Sequence, residues 1–143
     1  MSYLSHKIKD GAMRILVVDD EELICWSLKR SFEKHAGHSV WCVYNGSDAL
    51  QMIRENQYDL VITDLKLPDI SGAELLRKIK EMGIDTPVIV ISSYLSENIL
   101  NDMLKQGVLR CINKPFQIEN ILNDLEHMSF AVMKKPSLTE KSP

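Results

Sequence analysis

Cysteine, glycine and aromatic residues are all scarce in this chain of 143 residues, and positive charge is in deficit. The three cysteines, Cys25, Cys42 and Cys111, are odd in number, far apart and without CxxC spacing. That argues against a disulfide framework or a thiolate zinc site and suits small buried residues in a reducing compartment. The six glycines form no GxGxxG or phosphate-loop spacing, so a nucleotide or flavin cradle is not expected. Aromatics at 6% and a net charge of −3 leave neither a stacking platform nor a basic surface, and direct nucleic-acid binding is not expected. Met1–Met13 alternates polar and apolar residues and reads as neither a signal peptide nor a membrane span. A cytoplasmic protein without membrane contact is expected.

What is there is an ordinary globular balance, 45% apolar and 26% charged, at about the length of one domain. Short apolar runs alternate with stretches of helical period. Arg14–Val18 (RILVV) reads as a strand buried on both faces, and Glu22–Ala36 as a helix stopped by Gly37. Val40–Tyr44 reads as a second strand, and Ser47–Asn56 as a helix capped by Ser47 with Ala49, Leu50 and Ile53 inward. Tyr58–Thr63 is a third strand ending at Asp64. A polar loop, Asp64–Ser71, leads past Gly72 into a helix carrying Leu75, Leu76 and Ile79. Pro87–Ser92 is a fourth strand, and Ser96 caps a helix through Lys105 carrying Ile99, Leu100, Met103 and Leu104. Leu109–Asn113 is a weaker fifth strand, and after Pro115 a last helix carries Ile118, Ile121, Leu122 and Leu125. The expected fold is α/β: a doubly wound, five-stranded parallel sheet of flavodoxin-like order 2-1-3-4-5 with helices on both faces. The expected divisions are an N-terminal extension (1–12), one domain (13–128) and a tail or linker (129–143), the last marked by Lys134, Lys135, Lys141, Pro136 and Pro143.

In this fold, ligands bind beyond the carboxyl ends of the strands. The first strand ends in Asp19-Asp20-Glu21-Glu22 and its neighbour, the third, in Asp64. Two like charges about 5 Å apart repel by roughly 3 kcal/mol at an effective dielectric near 20. Converging carboxylates therefore call for a cation, and hard oxygen donors suit Mg²⁺. Glu21 and Glu22 read more simply as helix-opening residues that face the dipole. The fourth strand ends in the hydroxyl of Ser92 and the fifth in Asn113-Lys114-Pro115. Together these supply an oxygen nucleophile (Asp64), an ammonium (Lys114) and a hydrogen-bond donor (Ser92), the groups that phosphoryl chemistry uses.

Four stretches in order carry a closer likeness: Ile15-Leu16-Val17-Val18-Asp19-Asp20-Glu21, Asp59 through Asp69, Pro87 through Ser93, and Asn113-Lys114-Pro115-Phe116. They resemble the receiver domain of two-component response regulators, the CheY-like superfamily. The resemblance implies a phosphoacceptor at Asp64, fed by a sensor histidine kinase or a histidine phosphotransfer protein. It implies Mg²⁺ on Asp20, Asp64 and the backbone carbonyl of Lys66, with Asp19 acting through water. Ser92 would be the switch hydroxyl and Lys114 the phosphate contact, before a cis peptide to Pro115. The output would be a switched face of the fourth helix, fifth strand and fifth helix, engaging an effector this sequence does not identify or a second copy as a homodimer. Such a protein is no enzyme beyond its own phosphorylation and dephosphorylation.

The chain departs from the pattern at Cys111, where receivers usually carry Tyr or Phe, and at Ser93 in place of a commoner alanine. Lys66 and Tyr94 stand where the family modulates acyl-phosphate lifetime. Two other functions share the fold or the chemistry. A phosphatase of the haloacid-dehalogenase type needs an acid two residues after its nucleophile, where this chain has Lys66, and a cap domain. A degenerate receiver acting as a constitutive interaction module would not need Asp19, Asp20, Asp64, Ser92 and Lys114 all intact.

Overall fold

The β-branched runs fold as strands, and the stretches of helical period between them fold as helices. The computed structural model describes residues 12–134. In chain order the elements are β1 (Arg14–Val18), α1 (Glu22–Ala36), β2 (Ser39–Val43), α2 (Gly46–Glu55), β3 (Leu60–Asp64), α3 (Gly72–Glu81), β4 (Val88–Ser92), α4 (Glu97–Lys105), β5 (Arg110–Asn113) and α5 (Ile118–Lys134). The strands form one parallel sheet in the order β2-β1-β3-β4-β5, as expected.

Period-two alternation divides the strand side chains between two cores. Ile15, Val17, Leu60, Ile62, Ile89 and Ile91 meet Cys25, Leu28 and Phe32 of α1 and Ile121 and Leu125 of α5. Leu16, Val18, Val61, Val88 and Val90 meet Ala49, Leu50 and Ile53 of α2, Leu75, Leu76 and Ile79 of α3, and Met103 of α4. Both faces are therefore covered, and every strand's carboxyl end points to one edge of the molecule.

Several boundaries differ from the sequence reading. β2 is Ser39–Val43 rather than Val40–Tyr44, because its register against β1 runs from Arg14↔Ser39 to Val18↔Val43 and leaves Tyr44 exposed. The cap of α2 is Asn45, not Ser47: its side chain accepts the Asp48 N–H at 2.7 Å, and Ser47 lies inside the first turn. β3 begins at Leu60 and includes Asp64, while Asp59 instead donates its N–H to the Arg14 carbonyl at 2.8 Å. Only Met103 of the apolar residues on α4 is fully buried, and Leu104 faces outward. Residues 1–11 of the expected extension (1–12) and 135–143 of the expected tail (129–143) lie outside the described residues, and 129–134 continue α5 rather than begin a tail.

Gly37 ends α1 in the left-handed region (φ 70°), which a side-chain-free residue enters without strain. The turn delivers His38, which is buried and accepts the Met13 N–H at Nδ1 (2.9 Å) against the edge of Phe32. Burial holds its pKa below the ordinary 6.5. A depressed folded value gives stability that is complete above the unfolded pKa and is lost as pH falls through and below it. Thermal midpoints measured from about pH 7.5 down to about pH 5 are expected to fall more steeply for the parent than for His38→Gln. Parallel pH profiles for the two proteins would contradict this.

Candidate functional site

The β1 and β3 register sets the site. Val18 pairs with Thr63, so Asp19 and Asp64 are the next residues along adjacent strands. Asp19 is fully buried, Asp64 nearly so, and Asp20 is exposed. One carboxylate oxygen from each lies within 4.8 Å of the others. Lys114 follows directly on β5, the edge strand beside β4. Its N–H donates to the Ser92 carbonyl (2.9 Å), and the Lys114–Pro115 peptide is cis.

The Lys114 ammonium then reaches Asp19 Oδ2 at 2.9 Å, Asp64 Oδ2 at 2.8 Å and Glu21 Oε1 at 2.7 Å. Burial works against its charge more than any single partner favours it, but the three carboxylates together outweigh burial and raise its pKa. Lys114 therefore stays an ammonium throughout the neutral range. Burial also raises the pKa of Asp19, against the pull of Lys114 and of the Glu21 N–H on its Oδ1 (2.9 Å).

The other two expected residues sit at the rim of this cluster. Ser92 is buried at the end of β4, one residue past the Asp64↔Ile91 pair, and its Oγ accepts the Tyr94 N–H at 3.0 Å. Lys66 donates its backbone N–H to Asp64 Oδ1 at 3.1 Å, so its peptide group is at the mouth of the site. Its ammonium lies 4.5 Å from the centroid of the exposed Tyr94 ring. Gly72 closes the loop behind Asp64: its N–H bonds to the Leu65 carbonyl at 2.7 Å, and a Cβ there would collide with the Asp64 carbonyl.

From the sequence, Glu21 reads as a helix opener. It does occupy the cap position of α1, but without a side-chain cap bond; its carboxylate goes to Lys114 instead. Its place directly after two site aspartates was the available signal. One ammonium thus pairs with Asp19, Glu21 and Asp64 while the Asp20 carboxylate stands beside them, and negative charge remains in excess. An all-oxygen, partly exposed, anionic donor set fits a hard divalent cation such as Mg²⁺ better than a softer metal.

A doubly wound parallel sheet with an acidic crest at the carboxyl ends of β1 and β3 has the architecture of CheY-like signalling domains. The family model for the response regulator receiver domain matches residues 15–126, and the chain belongs to that family. It is 31% identical over 131 residues to the sensory/regulatory protein RpfC of Xanthomonas campestris, covering 89% of this chain and 18% of that protein. It is 30% identical over 116 residues to the transcriptional regulatory protein ZraR of Salmonella typhimurium, covering 81% of this chain and 26% of that protein. To the transcriptional regulatory protein DltR of Streptococcus agalactiae it is 34% identical over 110 residues, covering 77% and 49%. The chain thus spans less than half the length of each of these relatives. Among solved structures, a Francisella response regulator receiver domain superposes with a TM-score of 0.78 at 30% identity, covering 82% of this chain and 97% of that one. A CheY-like receiver domain protein from Methanospirillum hungatei gives 0.78 at 28%, covering 87% and 98%. Among the described residues, no helix is long and apolar enough to cross a membrane.

Proposed function

We propose that this receiver domain is a phosphoacceptor switch in a two-component phosphorelay, with Asp64 taking phosphate from a histidine of a sensor kinase or phosphotransfer protein. The observation that carries this reading is the Lys114 ammonium, shared by Asp19 and Asp64 at 2.9 and 2.8 Å beside the exposed carboxylate of Asp20. Asp64 offers a carboxylate oxygen as nucleophile. Its O–P bond forms as the P–N bond to the donor imidazole breaks; the bonding pair stays on that nitrogen, and the proton already carried on the ring's other nitrogen lets it leave as neutral imidazole. Lys114 meets the phosphoryl oxygens as a fixed cation that needs no reorganisation, and the Ser92 hydroxyl donates a hydrogen bond to one of them. Asp20, Asp64 and the Lys66 carbonyl would hold Mg²⁺, with Asp19 acting through a water. When bound, that ion supplies charge neutralisation for the transferring group.

The outer face of α4, β5 and α5, where Leu104 and Leu109 are exposed, is the face we assign to an effector or a second copy of the chain. Activity beyond the domain's own phosphorylation and dephosphorylation is not part of this reading, and the cytoplasm is its place of action. Incubation with a small acyl-phosphate donor is expected to add one phosphoryl group by intact mass when Mg²⁺ is present. Excess chelator is expected to slow the uptake by at least about a hundredfold, the scale of a lost electrostatic stabiliser. Equal uptake with and without chelator would remove the metal from the account.

A further inference from the structure

The loop from Asp64 to Gly72 is closed at its base and held from outside at its tip. At the base, Lys66 and Ser71 pair as an isolated bridge, Gly72 N–H meets the Leu65 carbonyl, and Ser71 caps α3 by accepting the Glu74 N–H at 3.0 Å. At the tip, the exposed carboxylate of Asp69 accepts three backbone N–H groups. Its Oδ1 takes Gly46 at 2.8 Å and Ile70 at 2.9 Å, and its Oδ2 takes Ser47 at 2.9 Å. Two of these donors belong to the first turn of α2, across the domain's edge from the loop. The contact is close enough that a Cβ on Gly46 would run into the Ile70 side chain.

We propose that Asp69 is a positioning residue for the Asp64 site: by tying the loop to α2 it fixes the backbone on both sides of the Lys66 Cα, the N–H that meets Asp64 and the carbonyl of the following peptide group, which would serve as a cation ligand. The proposal rests on the phosphoacceptor reading above. Mg²⁺ tolerates little departure from octahedral geometry, and groups that orient metal ligands commonly govern affinity by 10–100-fold. The gain is in ligand placement rather than in new contacts to the ion. The simpler role, helix capping alone, is already partly served by Asn45, whose side chain caps the same helix through the Asp48 N–H. That cap does not touch the loop, so the two residues separate the explanations.

The experiment compares the full chain with Asp69→Ala, Asp69→Asn and Asn45→Ala, measuring Mg²⁺ dissociation constants by calorimetry and labelling rate against Mg²⁺ concentration. Asp69→Ala is expected to weaken Mg²⁺ binding about tenfold while the rate at saturating Mg²⁺ stays within about twofold. Asp69→Asn keeps one acceptor oxygen and is expected to fall between it and the parent. Asn45→Ala is expected to lower the thermal midpoint comparably with no change in Mg²⁺ affinity. Parental affinity in Asp69→Ala, or equal weakening in Asn45→Ala, would overturn the proposal. Should Asp69→Ala not fold, Asp69→Asn decides it: parental affinity there overturns the proposal, and weakened affinity supports it. A parent chain that binds no Mg²⁺ would defeat the underlying reading, and the tether with it, before any variant is compared.

Discussion

Asp64→Asn is expected to take up no phosphoryl group from a small acyl-phosphate donor in Mg²⁺, a loss of at least about a thousandfold in labelling rate. Asparagine has the same shape and still offers an oxygen to the Lys66 N–H, which reaches Asp64 Oδ1 at 3.1 Å. What it lacks is the anionic oxygen that bonds to phosphorus. The neighbouring carboxylates are poor substitutes: Asp19 is fully buried and paired to Lys114 at 2.9 Å, and Asp20 lies in the turn beyond β1, outside the Lys114 ion pairs. Lys114 keeps Asp19 and Glu21 in the variant, so the fold retains its central ion pair. Intact mass after incubation is the check. Undiminished labelling of the variant would show that another residue accepts the phosphate.

Lys114→Ala is expected to lose both chemistry and stability. Among the described residues its ammonium is the one cation that touches Asp19, Glu21 and Asp64 together, and its side chain is almost wholly withdrawn from solvent. Removing it leaves buried carboxylates facing one another, a situation that costs about 3 kcal/mol or more when a buried pair loses one partner. Glu21 adds little to that figure, because it is largely exposed and water screens it. Labelling should slow by about a hundredfold or more, the scale of losing one fixed group that meets developing charge. Urea unfolding at neutral pH in Mg²⁺-free buffer, together with labelling rates, measures both effects. A variant as stable as the parent would mean that the ion cluster is solvated and carries little energy. Parental labelling would remove Lys114 from the phosphoryl contact.

The strand ends were legible because local chemistry and fold topology agree there. Unbroken β-branched runs identify strands buried on both faces, and a parallel sheet then puts Asp19, Asp20, Asp64, Ser92 and Lys114 on one edge whatever the details of packing. Helix caps were less legible. Ser47 and Asn45 are both good caps; the structure takes Asn45, whose side chain accepts the Asp48 N–H, while the Ser47 N–H goes to Asp69, 22 positions away. Ile99, Leu100, Met103 and Leu104 read as one inward stripe, yet on α4 Met103 is buried, Ile99 packs against the core only in part and Leu104 faces outward. Glu21 was hidden by its own plausibility as a helix opener. Its pairing with Lys114 bridges 93 positions, a separation that no local pattern encodes. The same holds for the Asp69 tether, which depends on how a loop tip meets a neighbouring helix.

The central claim is that Asp64 carries the phosphate, and borohydride trapping tests it most directly. An acyl phosphate on an aspartate is reduced to the alcohol, which leaves homoserine at the modified position. After incubation of the full chain with Mg²⁺ and an acyl-phosphate donor, then reduction and peptide mass mapping, homoserine is expected at position 64 and at no other aspartate. Homoserine at position 19 or 20, or a phosphorylated chain that yields none, would contradict the account.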